Sequence, residues 1–381
     1  MLKKRVFILG TFALLAMVAF FVAAGDAEPG AVKQVVPGVW FLEGDLKNLG
    51  HCNNIIIEMK DYLIVVDANF PSGARLAMES AKKVSNKPVK YVFDTHHHGD
   101  HAYGNPVWTQ AGATTLAYKG VVDEMKRYEP KRWLDTAKER KDVGELNLPT
   151  AEPPKQTFDK SPFVLKDDTR EVRFHYFGWA HTRGDGFVYL PKEKLLCTGD
   201  AATNGPYNYT ADANIANWPK VIAAAQKLDV QHVLPGHGGL GGKEILDGQG
   251  RFMAELHKAV QAAVKQGKKL DDIVKRDGEK LVSTSVQLPD SVKNWVSGDG
   301  LPAQVKDAYE EITQHKPHGD LPHWLLQLPD PLLFHGLIAF SRAQIPVFFG
   351  AAARPVNHQP LRHIPLAHSE RHRQLGLRQE T

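Results

Sequence analysis

The run Thr95-His96-His97-His98-Gly99-Asp100-His101 puts four metal-capable side chains (His96, His98, Asp100 and His101) within six positions, directly after the apolar segment Tyr91-Val92-Phe93. In an extended chain alternate side chains face the same way, so His96, His98 and Asp100 can converge while His97 points elsewhere. Gly99 eases the turn that brings His101 round. Imidazole and carboxylate are ligand types suited to zinc at about 2.0–2.2 Å. A solvated His-rich loop is the bland alternative, and the ordered H-x-H-x-D-H spacing after a strand argues against it.

Three later segments supply the same residue types in turn: Gly178-Trp179-Ala180-His181-Thr182-Arg183-Gly184-Asp185, Leu196-Cys197-Thr198-Gly199-Asp200, and Leu234-Pro235-Gly236-His237-Gly238. With the first motif, this series resembles the signature of the metallo-β-lactamase superfamily, Ala180 standing where that pattern usually has glycine. The resemblance spans roughly Val35 to Lys265. It implies an α/β fold, an αββα sandwich of two mixed β-sheets with helices outside and the metal site at one edge between the sheets. Position by position it implies two metal ions, the first on His96, His98 and His181, the second on Asp100, His101 and His237, with Asp200 bridging both. Two zinc ions are the expectation, with iron or mixed metals left open. Asp67, which closes Ile64-Val65-Val66, and Thr95 fit hydrogen-bonding roles behind those ligands. Structural capping is an equal account of each.

Two cations about 3.5–4 Å apart lower the pKa of a shared water from about 15.7 towards 7, so no Ser or Cys nucleophile is required. A small-molecule carbonyl, of a β-lactam, lactone, ester or thioester, would be polarised and attacked by hydroxide, with Asp100 as the catalytic residue that orients it and shuttles its proton. Asp200 stands against the β-lactamase branch, which usually has Cys or Ser there. Asp185 departs from the His of a glyoxalase-like thioesterase. A mononuclear-iron sulfur dioxygenase and a non-catalytic exported metal-binding protein are the alternatives from other classes. Substrate contacts are expected from Gly44 to Cys52, which contains His51, and from the aromatic residues Tyr207, Tyr209 and Trp218, although packing is the commoner use of such rings. His175, His232 and His257 match no ligand position and are expected to be structural.

Positioning such a site requires sheets and helices in turn, and the pattern supplies them. Short β-type runs at Val39 to Leu42, Asn54 to Glu58 and Tyr62 to Val66 precede a helical stretch from Ser72 to Val84 and a strand at Val89 to Phe93. Gly120 to Lys141 reads as one helix. A second strand block covers Phe163 to Leu165, Glu171 to Phe177, Gly186 to Leu190 and Lys194 to Cys197. Ile215 to Leu228 then suits a helix, Val230 to Leu234 a strand and Lys243 to Lys265 a long helix.

Around this domain, expected over residues 32–315, the ends read differently. Lys3, Lys4 and Arg5 precede an apolar run from Val6 to Ala24, so residues 1–24 read as a signal peptide or N-terminal anchor. Cleavage after Ala24 or Ala27 fits the small-residue rule, and an uncleaved anchor is the alternative, the one expected link to a membrane. Either way the domain is exported, periplasmic or secreted. Thirty-one lysines occur up to Lys316 and none beyond, while eight of the 18 histidines lie from His315 onward. Residues 316–381 are therefore expected to be a weakly ordered extension or a frame-shifted end, in preference to a metal-buffering tail. A net charge of +4, from 47 basic and 43 acidic residues, with no basic stripe, argues against a nucleic-acid partner. Cys52 and Cys197 are too few for a disulfide scaffold; they can form one bridge or serve as small buried side chains.

Overall fold

A computed structural model describes residues 31–321 of the chain. All of them fall within one compact unit. The expected signal segment and most of the expected C-terminal extension lie outside the described residues.

Seven strands form the first sheet in spatial order: β1 (Val32–Val36), β2 (Val39–Leu42), β3 (Asn54–Glu58), β4 (Leu63–Val66), β5 (Val89–Asp94), β6 (Thr114–Tyr118) and β7 (Gln156–Phe158). Pairing is antiparallel from β1 to β4 and parallel from β4 to β7. The second sheet contains β8 (Phe163–Lys166), β9 (Glu171–Tyr176), β10 (Gly186–Leu190), β11 (Leu195–Gly199) and β12 (His232–Pro235), running β12-β11-β10-β9-β8. Only the β11–β12 pair in it is parallel. A separate hairpin joins β13 (Val274–Asp277) to β14 (Lys280–Thr284).

Helices α1 (Pro71–Val84), α2 (Gly99–Ala102), α3 (Asn105–Gln110), α4 (Lys119–Tyr128), α5 (Lys131–Glu139) and α6 (Lys141–Gly144) belong to the first half. The second half supplies α7 (Trp218–Ala225), α8 (Lys243–Lys265), α9 (Leu270–Ile273) and α10 (Leu301–Gln314).

The period of two along each strand builds the layers. In β4, Leu63 and Val65 join Ala74, Ala77 and Ala81 of α1 and Trp108 of α3 in an outer core. Ile64 and Val66 face the other way and meet Phe174, Val188, Leu195 and Leu234 of the second sheet. On the far side of that sheet Phe187, Tyr189, Leu196 and Val233 pack against Trp218, Ile222, Phe252 and Leu256 of α7 and α8. Helix, sheet, sheet, helix is the expected αββα order, and both sheets are mixed.

Parallel pairing brings the ends of β4 and β5 together, and likewise those of β11 and β12, so four loops meet at one edge of the sandwich. The amide of Gly186 donates to the Thr95 carbonyl at 2.7 Å and that of Asn53 to the Gly236 carbonyl at 2.8 Å, which stitches the two sheets at this edge.

Gly120 to Lys141 is not one helix. α4 stops at Tyr128, and Pro130, which has no amide hydrogen to donate, separates it from α5. Residues 316–321 pack on the domain: His318 is buried, and the Gly319 amide donates to the Ala213 carbonyl at 3.0 Å.

Candidate metal centre

His96 comes one residue beyond the end of β5, after Thr95, and His98 is the residue before α2. His181 comes from the loop between β9 and β10, where the buried Asp185 carboxylate accepts from the Thr182 amide (2.9 Å) and hydroxyl (2.8 Å) and from the Ala180 amide (3.1 Å). The three imidazoles converge: His98 Nδ1 lies 3.1 Å from His96 Nε2 and 3.0 Å from His181 Nε2. Burial holds all three neutral, with His98 down at about 4, His181 at about 3, and His96 well below its ordinary value.

Their outer partners fix where the protons sit. His98 Nε2 lies 2.9 Å from Asp212 Oδ2 and His181 Nδ1 lies 2.9 Å from the Tyr209 carbonyl oxygen. Both partners accept only, so those nitrogens donate, and the inner nitrogens of His98 and His181 are bare lone pairs facing each other. Lone pairs 3.0 Å apart repel unless a cation or proton lies among them. The donor set therefore fits a metal ion, and these three residues could hold one.

Beside them is a group of different character. Asp100 and His101 lie on the single turn of α2, Asp200 follows β11, and His237 follows β12. His237 Nε2 is 3.0 Å from Asp100 Oδ2 and 3.3 Å from Asp200 Oδ2, while His101 Nε2 is 3.4 Å from Asp100 and 3.5 Å from Asp200. Burial opposes charge on His237, but Asp200 and Asp100 outweigh it and raise the ring to about 9. Burial likewise opposes charge on His101, and the surrounding carboxylates carry it well above its ordinary value. Burial would raise the two carboxyls, yet His101 and His237 hold both well below the usual carboxylate range. Asp100, His101 and His237 form a second group that could hold a metal, and Asp200 Oδ1, buried, has no hydrogen-bond partner. Asp200 reaches both groups, lying 3.8 Å from His181 Nε2 as well.

The space for this packing depends on a missing side chain. A Cβ on Gly236 would overlap Asp200 Oδ1 and crowd His101, so the backbone before His237 can approach only as glycine.

All seven expected site residues are thus brought to one edge, while His97 Nε2 lies 3.4 Å from Asp212 Oδ2 and 3.3 Å from Arg132 Nη1. The structure adds residues that the sequence did not indicate. Asp212 takes a bidentate pair from Arg132 at 2.7 and 2.8 Å, and the Arg132 guanidinium lies 3.6 Å from the centre of the Tyr128 ring. Burial would raise the Asp212 carboxyl, and Arg132 holds it well below its ordinary range. Of the two expected supporting residues, Asp67 Oδ2 accepts from His101 Nδ1 at 2.9 Å and its Oδ1 from the Thr95 amide at 2.8 Å. Thr95 Oγ1 lies 3.1 Å from His96 Nδ1.

Of the expected substrate contacts, Tyr207 is exposed with its ring 6.0 Å from that of His237, and half-buried Tyr209 lies 5.3 Å from His98. Trp218 is fully buried and donates from Nε1 to the Ala201 carbonyl, which makes it part of the core. His51 is buried, with Nε2 2.7 Å from Ser72 Oγ. Cys52 and Cys197 are free and buried, with no bridge between them. His175, His232 and His257 belong to none of the metal-capable groups named here.

The model of the metallo-beta-lactamase superfamily matches residues 48–250, just over half of the chain. The chain belongs to the metallo-β-lactamase superfamily. One relative is the metallo-beta-lactamase type 2 of Bacteroides fragilis, 28% identical over 166 residues, which are 42% of this chain and 57% of that protein. Another is the 2,4-dinitroanisole O-demethylase subunit alpha of Nocardioides sp. (strain JS1661), 25% identical over 216 residues, 55% of this chain and 58% of that one. The chain thus spans somewhat over half the length of either relative. Among solved structures, a metallo-beta-lactamase from Pontibacter korlensis has a TM-score of 0.48 at 20% identity, covering 59% of this chain and 98% of that one. The mono-zinc form of FIM-1 from Pseudomonas aeruginosa has a TM-score of 0.47 at 23% identity, covering 59% and 94%.

Proposed function

We propose that this superfamily member is an exported, dinuclear metal-dependent hydrolase that cleaves the acyl C–N, C–O or C–S bond of a small β-lactam, lactone, ester or thioester. The observation that carries this is the set of inner lone pairs on His98 and His181, aimed with His96 at one point beside an acidic group that shares Asp200. In this reading His96, His98 and His181 hold one ion, Asp100, His101 and His237 the other, and Asp200 bridges; zinc suits the imidazole-rich set. Two such ions, when bound, supply Lewis acidity towards a carbonyl and bring the ionisation of water near neutral pH.

The chain's own groups do the rest. Asp100, held ionised, accepts a hydrogen bond from the attacking water, orients it, and carries its proton towards the leaving group. Asp212 and the Tyr209 carbonyl keep His98 and His181 in the tautomers that present their inner nitrogens, and Asp67 does the same for His101. Exposed Tyr207, beside His237, and half-buried Tyr209, beside His98, offer apolar surface to the substrate. Export rests on the basic and apolar N-terminal pattern, which lies outside the described residues.

The test is elemental analysis of the purified protein alongside hydrolysis of a chromogenic cephalosporin, a lactone, an ester and a thioester. Two zinc ions per chain with turnover of one class is the expected result. A single iron without turnover would replace this reading with an oxidative one.

A further inference from the structure

The two outer partners of the imidazole group, Tyr209 and Asp212, lie on the long connection between β11 and α7. They are held there from a part of the chain beyond the family match, which ends at residue 250. α10 buries an unusual stripe. A helix facing a core ordinarily turns apolar residues inward at three- and four-residue spacing. Here Gln304, Asp307 and Glu311 occupy that spacing, and all three are buried.

Each of them bonds the connection. Gln304 Nε2 donates to the Asn208 carbonyl at 2.5 Å, and Asp307 Oδ2 accepts from the Thr210 hydroxyl at 2.6 Å. Glu311 accepts three backbone amides: Ala216 at 2.7 Å on Oε1, with Ile215 at 2.9 Å and His318 at 3.1 Å on Oε2. His318 in turn lies with Nδ1 2.7 Å from the Ala211 carbonyl. Buried carboxylates cost stability unless they are fully bonded, and leucines would stabilise a plain packing helix better. A polar stripe that grips residues 208–216 on both sides of Asp212 fixes where the backbone of that segment runs.

We propose that Glu311, assisted by Asp307 and Gln304, is a positioning residue of the metal centre. By holding this connection it sets the Tyr209 carbonyl and the Asp212 carboxylate, and through them the direction and tautomer of His181 and His98. The inference rests on the metal-binding reading above and extends the working unit of the site to the C-terminal helix.

Zinc affinity, measured by competition against a chromogenic chelator on the metal-stripped full chain, tests it without reference to any substrate. Glu311→Gln, which loses a carboxylate acceptor, is expected to weaken the tighter-bound zinc by ~10-fold, the lower end of the effect of removing an outer-shell partner. Thr210→Val is expected to act in the same direction and more weakly, and Thr210→Ser to restore wild-type affinity. Glu193→Gln, which loosens the remote buried pair with Arg170 (2.8 Å), is the control, lowering the melting temperature and leaving zinc affinity unchanged. Wild-type zinc affinity in folded Glu311→Gln and Thr210→Val would overturn the proposal and leave α10 a structural element. If Glu311→Gln does not fold, the Thr210 pair decides. A wild-type chain that binds no zinc would overturn the metal-centre reading itself, a result distinct from either.

Discussion

The two halves of the centre are equally buried and both rich in histidine, yet they hold opposite charge states. His98 and His181 are pushed down to about 4 and about 3, whereas His237 is raised to about 9 and His101 is raised well above its ordinary value. Desolvation acts the same way on all of them, so the difference comes from neighbours. Asp100 and Asp200 lie open-faced against His101 and His237, while the carboxylate behind His98, Asp212, is already neutralised by Arg132. On the proposed assignment the candidate ligand histidines are thus prepared in two ways: as lone pairs held ready, and as cations whose protons a metal must displace.

The largest effects should come from removing one side chain of either half. His96→Ala is expected to lose the ion of the neutral half and nearly all hydrolysis, and His237→Ala the ion of the acidic half with a similar loss. Metal content per chain and kcat/KM measure both, and unchanged activity in either variant would refute the ligand assignment. Gly236→Ala acts on the shared member instead. Its methyl group displaces Asp200, so both ions should weaken together while the circular dichroism spectrum stays that of the wild type. Loss of one ion alone would show that Asp200 does not bridge.

Outer partners should separate the halves more gently. Asp212→Asn is expected to cost about 10–100-fold in affinity for the ion on His98, and Asp67→Asn a similar factor for the ion on His101. Chelator competition resolves the two, and the comparison fails if either variant weakens both ions equally.

The smallest effect is on the pH dependence of stability in the metal-free protein. His98 and His181 stay neutral in the fold at pH values where the unfolded imidazole, with a pKa of about 6.5, is charged, so the unfolded state binds more protons and stability falls as pH drops from about 6.5 through about 4 and 3. His237 runs the other way: its contribution is fully present below the unfolded pKa of about 6.5 and is lost as pH rises through about 9. Urea denaturation across that range should show a maximum near the unfolded pKa. A monotonic profile would contradict the split.

What the sequence made legible was local. His96 to His101 could be read because the strand before them and their spacing lie within a dozen residues, and the succession of strand blocks and helical stretches, with the family resemblance, pointed to the layers. Asp212 and Arg132 could not be read. Asp212 lies 114 residues from His98 and 80 from Arg132, and the stretch Thr210-Ala211-Asp212-Ala213 has no periodicity that marks a buried carboxylate. Trp218, near Tyr207 and Tyr209 in sequence, reads as a substrate contact; as the first residue of α7 it is turned into the core. The break in Gly120 to Lys141 did have a signal, Pro130, which a charged and otherwise helical run obscured. Polar residues on the inner stripe of α10 conflict with the usual pattern of helix burial, and only the fold reveals what they bind.

The stitching of the two sheets at this edge bears on how the protein is made. His96, His98, Asp100 and His101 come from the first sheet and His181, Asp200 and His237 from the second, so neither half of the chain carries a complete set. On the proposed ligand assignment neither ion has its full set of partners until the sheets dock. Cations should therefore leave the refolding rate nearly unchanged and slow unfolding, as expected for contacts absent from the transition state. Loaded protein would persist through kinetic retention, its lifetime in a metal-poor medium set by how often the two sheets part.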